Sequence, residues 1–592
     1  MIFPQPIKEA YFGGKYTLLS RPASEDLPTL YEIYKNGNED LTILLDSSMG
    51  EDAYELRVTE EGICIKCGSE SGKFRAVTTL GQLFHEHRDS LPYCEICDAP
   101  QFLRRGYMLD ISSARIPTLE TLKRLVDLLA ALKYNELQLY MESFCYKFPQ
   151  FPHVTEGFDC LTPEDMVALD RYCKERFIDL VPNQNCFGHM AVWLADKAFS
   201  HLGVGDERHK TGTLNILLPE TEEFVEKLFD SVLPYFRSQY VNIGLDEAFG
   251  LGKYQLEQIC RDKGKTEVFM WWLGKVSDMI KRKYGKTVMF WSDMVYEAKN
   301  AFHLIPEGAV ALNWNYDLID TALSDRRCAY LEETGIPFYV CPGTSTWLGF
   351  TGRFDLMTFN LRTCAEFGAN HGARGYLLTD WGEHGTHNTY PVFSLVPIAL
   401  GAQYAWNIGE YQDGYRMKHP LTEAAQKYID EYVFAGKCVS HFHYKLSQTY
   451  LLEPRRIHCS SVIPYAFSLK LNEHVVPGFV DLRGEDPFYF ENVIFYLQRI
   501  LCDLEKSDFD EKLKRQTILG AKYYLLGAEL CIIRIKGSAA ADKIDALVDL
   551  IDFIYQEHRA LWVLDNFEHG IERSLDLLLR HKNELLAMKE VL

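Results

Sequence analysis

The sequence reads as an α/β protein built on a (β/α)8 TIM barrel, preceded by a small α+β domain and followed by an α-helical domain. Three observations carry that reading. The chain has 592 residues, more than one ordinary core accommodates. Between residues 103 and about 408, eight apolar strand-like runs alternate with longer amphipathic runs. After about residue 410 the strand signal fades and helical periodicity takes over.

The elements follow in order. Residues 1 to about 100 alternate short β-type runs, YELRV (54–58) and ICIKC (63–67), with turns, and then give the helix-like VTTLGQLFHEH (77–87). This is the small α+β domain, closed by the segment ICDAPQF. Residues 101–410 supply the barrel strands: GYMLDI (106–111), ELQLYM (136–141), FIDLVP (177–182), YVNIGL (240–245), VMFWS (288–292), VALNW (310–314), PFYVC (337–341) and GYLLT (375–379). Parallel strands covered on both faces read as continuous apolar runs. Between the first two lies TLETLKRLVDLLAALKY (118–134), where Leu119, Leu122, Leu125, Val126, Leu129 and Leu132 recur at helical spacing and define one buried face. A doubly wound open sheet shares this periodicity. Residues 411–592 form the helical tail, with ADKIDALVDLIDFIYQEHRALWVL (541–564) as its clearest helix.

Composition excludes several classes of function. Hydrophobic residues make up 47% and charged residues 24%, a globular balance, and the formal net charge is −21. An acidic surface opposes phosphate neutralisation and docking on anionic lipid, so neither nucleic acid nor membrane is expected as a partner. The amino terminus lacks a basic segment followed by an apolar run, and the chain is expected in the cytoplasm. Sixteen cysteines, most lying singly in apolar segments, fit a reducing compartment. Cys64/Cys67 and Cys94/Cys97 have zinc-like spacing, but ICIKC reads as a strand, on which residues three apart face opposite sides. No metal and no cofactor is called for.

In such a barrel the chemistry sits at the carboxyl ends of the strands. Reading those positions in order gives Arg115, Glu142, Asn183 to His189, Asp246 and Glu247, Trp291 and Asp293, Trp314 and Tyr316, Thr344 to Trp347, and Asp380, Trp381 and Glu383. Carboxylates hold hydroxyls and aromatic faces cover the apolar faces of pyranose rings, so the pocket suits a sugar. The sharpest element is VNIGLDEAFG (241–250), in which an apolar strand ends in adjacent carboxylates. Both enter one pocket only if the chain turns at the strand end, and their repulsion is expected to raise the pKa of one of them.

NIGLDE, together with RRGYMLDIS, FGHM (187–190), MFWSDM (289–294) and TDWGEHG (379–385), resembles family 20 glycoside hydrolases, the β-N-acetylhexosaminidases. The likeness extends over residues 1–408, and the helical tail resembles the extra domain of certain bacterial members. The resemblance implies exo-acting, retaining removal of terminal β-linked GlcNAc or GalNAc by substrate-assisted catalysis. Glu247 would be the acid/base, and Asp246 would steady the substrate's acetamido group as it forms an oxazolinium. His189 would stand behind the acid. Trp291, Trp314 and Trp381 would wall the acetamide pocket and the sugar face, and Glu383 would hold hydroxyls at O4 or O6. From their places at the strand ends, Arg115, Glu142, Asp293 and Trp347 are read as further substrate-binding residues and Tyr316 as the candidate donor to the acetamide carbonyl, whereas the family's usual tyrosine follows a later strand. Ser113 stands where the family commonly has an arginine, and Arg115 is the nearest substitute.

Two other readings stay open on the sequence. One is a barrel that binds amino sugars without turning them over, or that is highly selective for the aglycone. The other is a metal-dependent hydrolase, against which stands the lack of paired histidines at the strand ends read above. The partner expected is a carbohydrate with a terminal N-acetylhexosamine, and the tail is expected either to close one side of the pocket or to build a homodimer.

Overall fold

The computed structural model describes residues 2–20, 27–206, 208–296, 299–316, 321–382, 390–409, 420–537 and 543–591. The first part is a five-stranded sheet of β1 (Lys8–Thr17), β2 (Leu41–Leu45), β3 (Tyr54–Thr59), β4 (Gly62–Cys67) and β5 (Ser90–Asp98), in the order β1-β5-β3-β4-β2. Alternation in β3 and β4 puts Tyr54, Leu56, Val58, Ile63 and Ile65 inward. The helix Glu70–His87 covers that face, started by Ser69, whose hydroxyl accepts from the Gly72 N–H at 3.1 Å. β3 runs between β4 and β5. The Cys64/Cys67 and Cys94/Cys97 pairs therefore stand on strands roughly 10 Å apart rather than around one ion.

The expected eight strands form a closed parallel barrel: β6 (Arg104–Asp110), β7 (Glu136–Met141), β8 (Asp179–Gln184), β11 (Tyr240–Asn242), β12 (Thr287–Trp291), β13 (Val310–Trp314), β14 (Phe338–Cys341) and β15 (Gly375–Asp380). A small hairpin, β9 (Gly203–Gly205) and β10 (Lys210–Leu214), rises from the loop after β8. Closure is made by β15 on β6, in register from Gly375↔Arg104 to Asp380↔Leu109. Every residue of β7 and of β15 is buried, one face by the barrel interior and the other by helices, which is why these runs carry no polar alternation. Met108, Tyr140, Val181, Met289, Trp291, Leu312, Tyr339, Cys341 and Leu377 fill the interior. The helix Leu119–Ala131 buries Leu122, Val126 and Leu129, whereas Leu119 and Leu125 are only half-buried at the edge of its stripe.

β11 is shorter than the run YVNIGL, because Gly244 and Leu245 turn into left-handed backbone at φ +72° and +78°. The hydrophobic run continues, but the ladder ends. Beyond the helix Leu395–Trp406 come the tail helices, among them Pro487–Lys506, Glu511–Lys536, Ile544–Trp562 and Ile571–Val591. Among the described residues, no helix is long and apolar enough to cross a membrane.

Candidate active site

The turn after β11 does what two adjacent carboxylates require. With Leu245 at φ +78° and Glu247 at φ +45°, neighbouring side chains no longer point to opposite faces, and Asp246 and Glu247 both reach one imidazole. His189 Nε2 lies 3.3 Å from Asp246 Oδ2 and 3.3 Å from Glu247 Oε2, and its Nδ1 lies 3.1 Å from Glu142 Oε2. Burial alone would lower the pKa of this histidine. The charge of Asp246 and the contacts with Glu142 and Glu247 outweigh it and hold the ring well above the ordinary histidine range, as an imidazolium. Glu142 is fixed in turn by the Tyr140 hydroxyl at 2.8 Å.

The two carboxylates of the pair differ in access. The Asp246 side chain is 9% exposed and that of Glu247 is 40% exposed, so Glu247 is the one a solvent-borne group can meet. Asn185, at the end of β8, donates from Nδ2 to Asp246 Oδ1 at 2.8 Å and accepts the Leu245 N–H at 3.3 Å. It ties the strained turn and the carboxylate to the neighbouring strand. Gly188 allows the FGHM loop to lie against the pair, since a Cβ there would stand 2.3 Å from the Asp246 carbonyl oxygen.

Asp293 has a different place from the one expected of a hydroxyl-binding group. Its Oδ2 accepts the backbone N–H of Glu247 at 3.1 Å, and its Oδ1 accepts from Trp314 Nε1 at 3.3 Å. Burial, followed by the charge of Asp246, raises its pKa to about 7.

The aromatic residues group as follows. Trp314 and Tyr316 stack with centroids 5.2 Å apart at 21°, and Tyr316 meets Trp347 edge-on at 5.0 Å. The Trp381 indole N–H donates to the Tyr316 hydroxyl at 2.8 Å, and the Trp381 ring meets Tyr140 at 4.7 Å. Trp314 and Trp381 are partly exposed, whereas Trp291 is fully buried among the interior residues. It is the last residue of β12, and its ring centroid lies 6.0 Å from that of Trp381. Tyr316 already accepts from Trp381 and is itself buried.

Arg115 follows Ala114, which has φ +78°, and is half-buried, close enough to Tyr107, Tyr390 and His558 for its charge to act on them. Glu383 lies outside the described residues. Asn185 was read from the sequence only within the strand-end run Asn183 to His189, and Asp110 was not singled out as a site residue. Asp110 ends β6 and accepts from the Ser112 and Ser113 hydroxyls and from the Gly382 N–H at 3.0 Å, joining the loops after β6 and β15. Burial and the charge of Glu142 raise its pKa. Both residues stand at strand ends, and that position was the available signal.

Residues 102–353 match the catalytic domain of glycosyl hydrolase family 20, and residues 16–99 match domain 2 of the same family. The chain belongs to that family. Among curated family relatives, a β-hexosaminidase of Vibrio furnissii is 24% identical over 364 residues, 55% of this chain and 57% of the relative. A β-hexosaminidase of Akkermansia muciniphila is 26% identical, over 49% of this chain and 66% of the relative. The chain thus spans little more than half the length of the Vibrio furnissii protein. Among solved family 20 structures, a β-N-acetylhexosaminidase from Bacteroides fragilis superposes with a TM-score of 0.57 at 20% identity, covering 70% of this chain and 92% of that one. The Flavobacterium johnsoniae chitobiase gives 0.59 at 17% identity, covering 98% and 99%. At these identities the superpositions speak for the fold, which for the second structure takes in the helical tail.

Proposed function

We propose that this family 20 chain is an exo-acting, retaining β-N-acetylhexosaminidase that works by substrate-assisted catalysis. The observation that carries the reading is that Asp246 and Glu247 both contact His189 Nε2 at 3.3 Å. Carboxylates gathered on one imidazole nitrogen approach a sugar from the same side. A protein nucleophile and an acid have to flank the scissile bond from opposite faces. The pair therefore suits an acid with a charge-stabilising neighbour, and the nucleophile is the substrate's own 2-acetamido carbonyl oxygen.

In this scheme Glu247 gives its proton to the glycosidic oxygen while the acetamido oxygen bonds to C1 and the aglycone leaves. Asp246 accepts the acetamido N–H and offsets the positive charge of the oxazolinium, an interaction that strengthens as the charge develops. Glu247 then takes a proton from water as the water oxygen attacks C1, which reopens the ring with net retention. His189, protonated and shared with Glu142, holds both carboxylates in place. Trp314, Trp347 and Trp381 line the sugar site above Trp291. The relatives named as β-hexosaminidases support a terminal amino sugar as substrate, and the many unpaired, largely buried thiols support a reducing compartment such as the cytoplasm.

The test is p-nitrophenol release from the β-GlcNAc and β-GalNAc glycosides, with a thiazoline analogue of the oxazoline as inhibitor. Wild-type turnover is expected with tight thiazoline inhibition, and Glu247→Gln is expected to lose about 10²- to 10⁴-fold in kcat. Absence of turnover on both glycosides would overturn the reading.

A further inference from the structure

The helical tail packs against the mouth of the barrel, and the loops it holds belong to one side. After β14, the Ser460 hydroxyl donates to the Leu348 carbonyl at 2.7 Å, and Phe350 stacks on Tyr523 at 5.6 Å. After β15, Phe393 packs on His443 at 5.2 Å, and the Tyr390 hydroxyl meets His558 Nδ1 at 3.0 Å. After β7, Phe158 stacks on His569 with centroids 3.6 Å apart. The tightest grip is on the loop after β6. There the Phe567 N–H donates to the Ile116 carbonyl and the Thr118 N–H to the Asp565 carbonyl, both at 2.9 Å, and Pro117 bridges Asn566.

In the barrel order, β14, β15, β6 and β7 are consecutive, and β11, which carries Asp246 and Glu247, lies opposite β15. The tail thus holds the rim that faces the catalytic pair across the pocket. Gly570 marks the point of closest approach. It has φ +94°, and a Cβ there would stand 2.0 Å from the Ala114 carbonyl oxygen and 2.8 Å from its carbonyl carbon. Contacts with backbone cannot be relieved by a rotamer change, so any side chain at 570 displaces the Ala114 peptide or the turn itself. Ala114 lies between Ser113, which bonds Asp110, and Arg115, and Asp110 receives the Gly382 N–H next to Trp381. The chain of contacts runs from the tail into the substrate-binding rim without touching the acid.

We infer that the tail turn Asp565–Gly570 is a positioning element for substrate binding, setting the loop after β6, with Arg115 and through Asp110 the Trp381 segment, against the sugar. This rests on the hexosaminidase reading for what is bound. Gly570, Asp565 and Phe567 act through the loop and are positioning residues, not catalytic ones.

The experiment compares full-length wild type with Gly570→Ala and Gly570→Val, using p-nitrophenyl β-GlcNAc kinetics and amide hydrogen exchange of residues 112–118. Displacing the rim while leaving β11 in place is expected to raise KM about tenfold with kcat within about threefold of wild type, Val more than Ala. Exchange at Ile116 and Thr118 is expected to quicken. A merely structural tail would lower melting temperature and active fraction with KM unchanged, and that outcome would overturn the inference. Unchanged exchange at 112–118 in both variants would overturn it equally. If wild type shows no turnover, the functional reading has failed instead, and the exchange arm still decides whether the tail sets this loop.

Discussion

At the residue scale, His189 organises the site. Its two nitrogens face three carboxylates, and Asp246, the less exposed of the adjacent pair, is also held by Asn185. Asp293 offers a separate test because it combines burial with a neighbouring charge and has its pKa raised from 3.8 to about 7. Between those values the folded chain holds a proton there that the unfolded chain has released. The stability this contributes is complete below about pH 4 and is lost as pH rises towards 7. Asp293→Asn cannot titrate, so its stability, measured by urea unfolding from pH 4 to 7, is expected to fall less steeply with pH than that of wild type. Parallel curves would show that Asp293 titrates normally in the fold.

At the scale of elements, the strand-to-loop transition after β11 and the FGHM loop after β8 form one interlocked unit. The Asp246 carbonyl fits against Gly188 with no room for a methyl group. Gly188→Ala is therefore expected to push the Asp246 peptide away from His189, lowering kcat by about tenfold or more and costing about 1–3 kcal/mol of stability. Thermal melting and steady-state kinetics check this together. A variant with wild-type kcat would mean that the loop yields without moving the pair.

At the scale of the whole molecule, the small domain and the barrel are joined by a buried ion pair. Lys133 Nζ lies 3.0 Å from Asp98 Oδ2, both side chains are 0% exposed, and Asp98 also accepts from the Tyr54 hydroxyl and the Trp406 indole N–H. Burial lowers the pKa of Lys133, and Asp98 opposes that shift. Removing one partner strands the other charge, so Asp98→Ala is expected to cost about 3–5 kcal/mol, whereas Asp98→Leu combined with Lys133→Met recovers much of the loss. Urea unfolding of the single and double variants measures it. A double variant no more stable than the single one would mean that the surrounding hydrogen bonds, not the charge pair, join the two parts.

The sequence by itself determined the order of elements and most of the strand ends. All eight barrel strands lie within the apolar runs or overlap them, because strands buried on both faces leave a continuous hydrophobic signature. The positions after those runs contained the adjacent carboxylates Asp246 and Glu247, together with Glu142 and His189, since the parallel closure of the barrel gathers the same end of every strand. Tertiary structure alone decided what each group does. Trp291 and Trp381 look alike in sequence, yet one lies inside β12 as interior packing and the other beyond β15 with part of its surface open. Asp293 reads as a hydroxyl-binding carboxylate and is found holding the Glu247 backbone. The grip of the tail on the loop after β6 joins residues more than 400 positions apart in the chain, as in the bond from Thr121 to Asp565. Local pattern records the burial each residue needs, whereas partnership across the barrel depends on loop paths that periodicity does not encode.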